Sequence, residues 1–211
     1  MARSKIRIKG VEARFYDLLI NFATGFRYGA LLRDAASKMD IKDGEKIIDL
    51  GGATGRATKL FAQAAGDTGE VILVDISEIM LKKARKRLKK YKNSKIIKAD
   101  ILKPLNLKGF DKLFISFVLH GLEISERSVL IKNCLSCLKK GGKLYILDYN
   151  QFDIDKLDPI PRYLFRHLEC ELASEFVRWN IERFLRGYKF GKITKWYWKN
   201  DKIRLIKAEK L

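Results

Sequence analysis

Short apolar runs rich in Ile, Val and Leu alternate with longer segments of helical period over most of the chain. The runs predict five buried strands at 46–50, 71–74, 95–98, 113–117 and 144–147. The segments between them predict helices at 56–65, 77–91 and 125–138, the last ending at the Lys-Lys-Gly-Gly of 139–142. Strands that alternate with helices in this way indicate a parallel sheet joined by crossover helices.

The carboxyl-terminal part of the chain has a different pattern. Two alternating runs, 192–199 and 202–207, are separated by Asn200-Asp201, which predicts an antiparallel hairpin. The fold class expected is therefore α/β, a doubly wound, seven-stranded, mostly parallel sheet that ends in an antiparallel hairpin. A plain dinucleotide-binding half gives no reason to expect this hairpin. Since no repeat or Pro/Gly-rich linker divides the chain, we expect 1–211 to form a single domain.

Composition narrows the class of protein. The 211 residues are 47% hydrophobic and 33% charged, which excludes disordered and collagen-like chains. The longest apolar run, around 113–122, is shorter than the roughly 18 to 20 residues of a membrane span. Residues 1–10 lack the apolar region of a signal peptide. Three cysteines do not form a disulfide framework. We therefore expect a cytoplasmic protein, with peripheral contact to a membrane left open.

A net charge of +19, from 44 Lys and Arg against 25 Asp and Glu, points to nucleic acid or an anionic membrane as a partner. Its densest run, 82–92, falls on the helix predicted after the second strand, where a solvated face is the simpler interpretation. The basic segment 3–9 and the terminal hairpin keep contact with an anionic membrane or with nucleic acid open. The excess of lysine over arginine is typical of proteins that work at high temperature.

A glycine-rich turn follows the first predicted strand and opens the first helix after it. Its residues are Asp49, Gly51, Gly52, Ala53 and Gly55. Small residues let a ligand approach the backbone, and the helix that follows presents unpaired N–H groups. The alternative is a tight connection with no ligand.

Acidic residues end the first three strands. Asp49 beside the turn would repel a pyrophosphate but suits a cationic amino group, as on the methionyl end of S-adenosylmethionine, which favours this cofactor over NAD. Asp75 can accept hydrogen bonds from ribose hydroxyls. Asp100 can accept an exocyclic adenine amine. The apolar side chains expected to cover the ring are Ile76, Met80 and Ile101.

These residues carry a family resemblance. Residues 46–149 resemble the class I S-adenosylmethionine-dependent methyltransferases, with 47–55, 74–80 and 100–101 similar to the family's first three motifs and 138–148 similar to its approach to the fifth strand. The resemblance implies the Rossmann-like methyltransferase fold, whose sheet ends in a hairpin. A closer likeness, to the ubiquinone/menaquinone biosynthesis methyltransferases, rests on 15–17, 67–71 and 115–122.

By that likeness, five residues would contact the cofactor: Thr58, Asp75, Asp100, Ile101 and Ser116. The chain departs from the family at two places. Ala53 stands where many members have glycine, and His120-Gly121 stands where the quinone enzymes usually have Arg-Asn.

His120 is the candidate catalytic residue. Methyl transfer from a sulfonium depends mainly on proximity and alignment, but a phenol, hydroxyl or activated carbon benefits from a base, and His120 is predicted at the end of the fourth strand. A packing role for His120 is the alternative. Cys134 and Cys137 form a C-x-x-C on a helix without a second pair, so we expect them in the core and expect no metal site.

Two flanking segments are assigned to ligand access. We expect 1–42 to form a helical N-terminal lid, in which Tyr16 can hydrogen-bond the cofactor's carboxylate. We expect 150–190 to form an insertion on the acceptor side, whose aromatic residues suit an apolar acceptor.

The function predicted is S-adenosylmethionine-dependent methyl transfer to a small or lipid-like acceptor, with a quinone type included. The alternatives are an RNA- or protein-modifying methyltransferase and a basic nucleic-acid-binding protein without activity.

Overall fold

A computed structural model describes residues 28–159, 162, 163, 165 and 171–211. Seven strands form one sheet: β1 Lys46–Leu50, β2 Glu70–Asp75, β3 Ser94–Lys98, β4 Phe110–Ser116, β5 Leu138–Tyr149, β6 Phe190–Trp198 and β7 Ile203–Lys210. The helices are α1 Tyr28–Met39, α2 Arg56–Ala64, α3 Glu78–Leu88, α4 Ile124–Cys137, α5 Glu171–Phe176 and α6 Ile181–Arg186. Two single 3-10 turns lie at Leu119–Gly121 and Ile154–Lys156.

The strand order is β3-β2-β1-β4-β5-β7-β6. The first five strands pair in parallel, and β7 is inserted antiparallel between β5 and β6. The predicted hairpin is confirmed: β6 and β7 pair directly, and Lys199, Asn200 and Asp201 turn the chain with φ of 52°, 49° and 61°. The doubly wound, seven-stranded, mostly parallel sheet is therefore the fold that the sequence predicts.

Both faces of the sheet are covered, which explains the continuous apolar runs. Ile48 and Leu50 of β1 belong to a core cluster on one face, whereas Ile47 belongs to the cluster on the other face with α1 and α2. Cys134 and Cys137 are fully buried in the first cluster, which confirms their predicted core position.

Several boundaries differ from the prediction. The fourth strand ends at Ser116, because Phe117 has a φ of +51° and turns the chain away from the sheet. The helix predicted over 125–138 ends at Cys137, and the fifth strand begins at Leu138 instead of 144, because 139–142 form a bulged entry to β5 with Gly141 at φ +73°. Helix α3 ends at Leu88, three residues before the predicted end.

Helix α1 is the described part of the segment predicted as a lid. It packs on the core through Leu32, Ala35 and Met39, which are almost completely buried. Trp198 Nε1 of β6 donates a hydrogen bond to Asp34 Oδ2 over 2.7 Å, which fastens the outer face of the helix to the terminal hairpin. None of the helices in the described ranges is long and apolar enough to cross a membrane.

Candidate functional site

The turn after β1 contains three residues whose backbone is in the left-handed conformation. Gly51, Ala53 and Gly55 have φ of 69°, 45° and 74°, and Gly55 is the N-cap of α2. The Gly51 N–H bonds the Val74 carbonyl over 2.8 Å, so the turn is tied to β2. Glycine adopts this conformation without penalty, whereas an alanine there costs on the order of 1 kcal/mol. Ala53 is therefore a strained position within the turn.

Gly52 allows a close approach between the turn and its neighbours. A Cβ at this position would lie 2.8 Å from Asp49 Oδ2 and 2.8 Å from Leu73 Cγ, which is closer than van der Waals contact permits. The Asp49 carboxyl occupies the space that a side chain at 52 would need. The acid at position 49 therefore requires glycine at position 52.

Asp49 is 1% exposed, and its Oδ2 accepts a 2.5 Å hydrogen bond from Thr58 Oγ1. Burial raises the pKa of Asp49 to about 7, the hydrogen bond from Thr58 opposes this increase, and the charge of Asp75 adds to it. Thr58 itself is completely buried behind the carboxyl. The structure therefore places Thr58 as a partner of Asp49, away from the surface that a ligand would touch.

A small, open cleft lies over the turn. Its lining includes Asp49, Gly51, Gly52, Ala53 and Ser116, which the sequence singled out, together with Tyr28, Thr54, Arg56 and Ala57, which it did not.

Arg56 places a cation in this cleft. It is the first residue of α2, where the helix already presents its unpaired N–H groups, and its guanidinium lies 5.0 Å from the centre of the Tyr28 ring. The lining of the cleft therefore combines a buried acid, a guanidinium and a helix N-terminus. The position of Arg56 directly after the glycine turn was the signal that could have identified it.

Asp75 joins the turn to the end of β2. Its Oδ2 accepts the Ala53 N–H over 3.0 Å and its Oδ1 accepts the Ser77 N–H over 2.8 Å, while burial raises its pKa. Ile76 follows and is half-buried. Met80 of α3 is 2% exposed and Ile101 is 6% exposed, so both predicted ring-covering residues present little surface.

Asp100 follows β3 on the same edge of the sheet. Its Oδ1 accepts the Leu102 N–H over 3.0 Å, which shapes the loop that carries Ile101. Asn133 Nδ2 of α4 donates hydrogen bonds to the carbonyls of Ile101 and Lys103 over 2.9 and 3.0 Å. These bonds attach the loop to α4. The strand order β3-β2-β1-β4 thus arranges Asp100, Asp75, the glycine turn and Ser116 along one edge.

Ser116 ends β4 and borders the cleft. Its Oγ is buried, and within the described part of the chain it has no hydrogen-bond partner. A buried hydroxyl without a partner costs free energy, so its position beside the cleft is suited to a ligand that supplies the missing bond.

His120 lies in the 3-10 turn after β4, not at the strand end as predicted, because the chain leaves the sheet at Phe117. Its Nδ1 is 2.7 Å from Asp148 Oδ1, and its backbone N–H bonds Asp148 Oδ2 over 3.3 Å. Asp148 is 1% exposed near the end of β5. The sequence analysis did not assign Asp148 a role, although its place in the motif 138–148 was a usable signal.

Aromatic side chains surround His120. The rings of Tyr149 and Phe176 lie 5.1 and 6.4 Å from the imidazole, and Phe165 packs on Tyr149 at 5.3 Å. Phe165 and Phe176 belong to the segment 150–190, and Phe176 of this segment packs against the histidine. The arrangement offers an imidazole base in an apolar, aromatic surrounding.

Three further predictions concern other places in the chain. Tyr16 lies outside the described residues, as does the rest of 1–27. Within the described ranges, no group of three or more His, Cys, Asp or Glu side chains is placed to hold a metal ion. The basic run is exposed as predicted at Lys82, Arg85 and Lys86 of α3 and at Lys89 and Lys90 directly after it.

Comparison with known proteins supports one family. The family described as "Methyltransferase domain" matches residues 41–199. The ubiquinone/menaquinone biosynthesis C-methyltransferase UbiE of Pseudomonas fluorescens is 32% identical over 140 residues, which cover 64% of this chain and 54% of that protein. The chain therefore spans about half the length of the curated relatives it matches.

Solved structures share the fold. An O-methyltransferase family protein from Burkholderia thailandensis superposes with a TM-score of 0.68 at 14% identity, over 90% of this chain and 58% of that one. The N-methyltransferase NodS from Bradyrhizobium japonicum, solved in complex with S-adenosyl-l-homocysteine, gives a TM-score of 0.60 at 14% identity over 86% and 85% of the two chains.

Proposed function

The chain belongs to the class I S-adenosylmethionine-dependent methyltransferases, and from this premise we propose that it methylates a small or lipid-like acceptor, of quinone type. The family's cofactor is S-adenosylmethionine. When bound, it supplies a methyl group on a positively charged sulfur, which is already activated for displacement. The protein's own contribution is then to bind, align, exclude water and accept a proton.

The cleft over the glycine turn carries the proposal. A cofactor with a methionyl end brings one ammonium and one carboxylate, and the cleft offers one acid and one guanidinium. We assign Asp49 to the ammonium, and Arg56 with the N-terminus of α2 to the carboxylate. The buried Ser116 hydroxyl supplies a further donor. The residue types present therefore fit the group.

The remaining predicted contacts follow the same edge of the sheet. We assign Asp75 to the ribose hydroxyls, since each carboxylate oxygen that accepts one backbone N–H can accept another bond. Asp100 is assigned to the adenine amine, and Ile76, Met80 and Ile101 to the faces of the ring. Gly51, Gly52, Ala53 and Gly55 form the floor, Thr58 acts through Asp49, and Tyr16 stays a prediction for the carboxylate.

His120 is the proposed general base. A carboxylate accepts hydrogen bonds and does not donate them, so the 2.7 Å pairing with Asp148 places the imidazole proton on Nδ1. In this tautomer Nε2 carries the lone pair, and we assign to it the removal of a proton from an acceptor's hydroxyl or acidic carbon. The aromatic surrounding of His120 supports an apolar acceptor, and the printed name of the Pseudomonas relative supports the quinone type.

Binding of the cofactor is tested first. Isothermal titration calorimetry with S-adenosylmethionine should give a dissociation constant in the micromolar range, and Asp49→Asn should weaken it about tenfold or more, since a charge-assisted hydrogen bond contributes about 1.5–3 kcal/mol. Asp43→Asn, an exposed acid in the loop before β1, is the matched control and should bind as the native chain does. No binding at a cofactor concentration of about 1 mM would contradict the proposal.

Methyl incorporation then identifies the acceptor class. Radiolabelled S-adenosylmethionine is offered with quinol precursors, with a total lipid extract and with total tRNA in parallel. The proposal predicts incorporation into quinol or lipid fractions. Incorporation into tRNA alone would contradict it.

A second candidate, an RNA-modifying enzyme, is supported by the exposed cations of α3 together with the net charge of +19. Retention on RNA and on anionic vesicles across a salt series measures contact with each polyanion, because counterion release makes such binding steeply dependent on salt. Protein modification, a cytoplasmic location with peripheral membrane contact, and growth at high temperature stay predictions.

A further inference from the structure

A buried arginine faces the partner of His120. Asp148 of β5 and Arg204 of β7 are directly opposite each other in the antiparallel register, so their side chains lie on the same face of the sheet. Asp148 is 1% exposed and Arg204 is 2% exposed. Attraction to Asp148 opposes the effect of burial, which lowers the pKa of Arg204. The Asp148 carboxyl thus bonds the His120 imidazole, and a buried arginine is its partner in the register of the next strand.

Two contacts hold the Arg204 guanidinium. Its Nη1 donates to Asn150 Oδ1 over 3.2 Å, and its guanidinium lies 6.0 Å from the Phe176 ring, which also packs against His120. Its Nη2 is buried and has no hydrogen-bond partner among the described residues. A cation that is buried in this way gains most of its compensation from the nearest anion.

Other charged groups near this pair, among the described residues, have partners of their own. Arg127 of α4 donates to the Leu119 carbonyl over 3.1 Å and pairs with Glu175 of α5 at 3.4 Å. Glu123 caps α4, where it forms a reciprocal capping box with Glu126. Tyr149 of β5 contributes its ring. Among the described residues, Asp148 bonds the imidazole directly, and Arg204, on which Glu182 and Tyr197 also act, is the buried cation opposite it in the register.

We propose that Arg204 is a positioning residue for the base: through Asp148 it holds His120 as a neutral imidazole with its proton on Nδ1. The proposal rests on the assignment of His120 as base. Asp148 alone would attract a second proton to the imidazole and favour the imidazolium. The positive charge of Arg204 opposes a further positive charge on the ring. Nε2 then keeps its lone pair at a lower pH than it would without Arg204.

Proton NMR tests this without a substrate. The chain has two histidines, so the imidazole C2–H signals are few, and His120→Gln identifies the signal of His120. Replacing Arg204 by Met removes the charge and keeps an apolar side chain of similar length. We expect the titration midpoint of His120 to rise by about one pH unit in Arg204→Met, and by a similar amount in Arg204→Gln, which can keep the bond to Asn150.

Two controls separate the local effect from a general one. Arg204→Lys retains the charge and should restore the native midpoint to within about 0.3 pH unit. Lys207→Met removes a charge from the same strand, where Lys207 lies over the Trp196 ring and not beside Asp148, and should leave the midpoint unchanged. In an active enzyme, the acid limb of the kcat/KM profile should move upward with Arg204→Met by the same amount as the NMR midpoint.

An unchanged or lower midpoint in a folded Arg204→Met or Arg204→Gln chain would overturn the proposal. If neither variant folds, Arg204 is a residue of the folding core and the proposal is rejected. The NMR experiment needs neither cofactor nor acceptor, so its failure is distinguishable from a failure of the proposed function, which calorimetry with S-adenosylmethionine detects independently.

Discussion

Thr58 donates its hydroxyl hydrogen to Asp49 Oδ2 over 2.5 Å, and both side chains are almost completely buried. This contact joins the first turn of α2 to the last residues of β1, directly under the candidate cofactor cleft. The hydrogen bond stabilises a carboxylate that burial destabilises, and the outcome is a pKa of about 7. A cation bound beside Asp49 would favour its ionised form, so we expect binding of a cationic ligand to ionise this acid.

The first prediction concerns the stability of the ligand-free protein. The pKa of Asp49 is higher in the folded chain, at about 7, than its ordinary value of 3.8. The folded state therefore binds the proton more tightly, and this contribution to the free energy of unfolding is complete below pH 4 and is lost as the pH rises through 7. Asparagine at position 49 does not ionise. At pH 8 we therefore expect the free energy of unfolding of Asp49→Asn to exceed that of the native chain by about 2 kcal/mol.

Urea unfolding at pH 5 and at pH 8 measures this difference, with equal slopes required for the comparison. Asp43→Asn provides the control for removing an acid nearby. A variant at 49 that is less stable than the native chain at pH 8 would show that the native carboxyl is not penalised by burial.

The second prediction concerns Gly52. Gly52→Ala places a Cβ 2.8 Å from both Asp49 Oδ2 and Leu73 Cγ, so one of these groups must move. Overpacking of this kind costs about 1–3 kcal/mol, and displacement of Asp49 should also weaken cofactor binding at least tenfold. Thermal unfolding and calorimetry measure the two effects.

Gly109→Ala is the matched comparison for Gly52. Gly109 has a φ of +80°, and a Cβ there meets nothing within 4 Å, so this substitution adds backbone strain without a clash. It should lower stability by about 1 kcal/mol and leave cofactor affinity unchanged. Equal affinities for Gly52→Ala and Gly109→Ala would mean that the approach of the turn to Asp49 does not shape the site.

The third prediction concerns Asp75. Asp75→Ala removes the acceptor of the Ala53 and Ser77 N–H groups, so it should loosen the turn as well as remove the proposed ribose contact. We expect a loss of cofactor affinity of about 10- to 100-fold, equivalent to about 1.4–2.8 kcal/mol. Asp67→Ala, an exposed acid before β2, should bind normally. Calorimetric titration with S-adenosylhomocysteine, which has no reactive methyl, gives an independent value.

The fourth prediction separates catalysis from binding. His120→Gln and Asp148→Asn should lower kcat by about 100-fold or more, because a positioned base contributes roughly 10²–10⁴ in rate. Both variants should keep the native affinity for S-adenosylmethionine, since neither side chain lines the cleft. Single-turnover rates with the acceptor found by methyl incorporation are the measurement. Unchanged rates would assign His120 to packing.

The sequence predicts the fold and the centre of the site because both depend on local patterns. The apolar run 46–50 and the glycine turn after it lie within one short stretch, so β1, the turn and α2 follow from residues that are close in the chain. The acids Asp49, Asp75 and Asp100 follow from the rule that parallel strands end at one edge.

The other features of the candidate site depend on contacts between residues that are distant in the sequence. His120 and Asp148 meet because β4 and β5 are neighbours and the chain turns at Phe117, which no periodicity encodes. Tyr28 meets Arg56 through the packing of α1 on α2. Thr58 was predicted from a resemblance to contact the cofactor, yet the geometry directs its hydroxyl to Asp49, because position 58 lies on the inner side of α2.

The most direct test of the cofactor site is the pH dependence of S-adenosylmethionine binding. Calorimetry at pH 5.5 and pH 7.5 compares a protonated with a largely ionised Asp49. Most of the cofactor's α-amino groups, whose pKa is about 7.7–8.0, keep their proton at both pH values. With a pKa of about 7 for Asp49, we predict affinity about tenfold or more stronger at pH 7.5, and no such dependence in Asp49→Asn. Equal affinity at the two pH values in the native chain, or the same pH dependence in the variant, would contradict the assignment of Asp49 to the cofactor's ammonium.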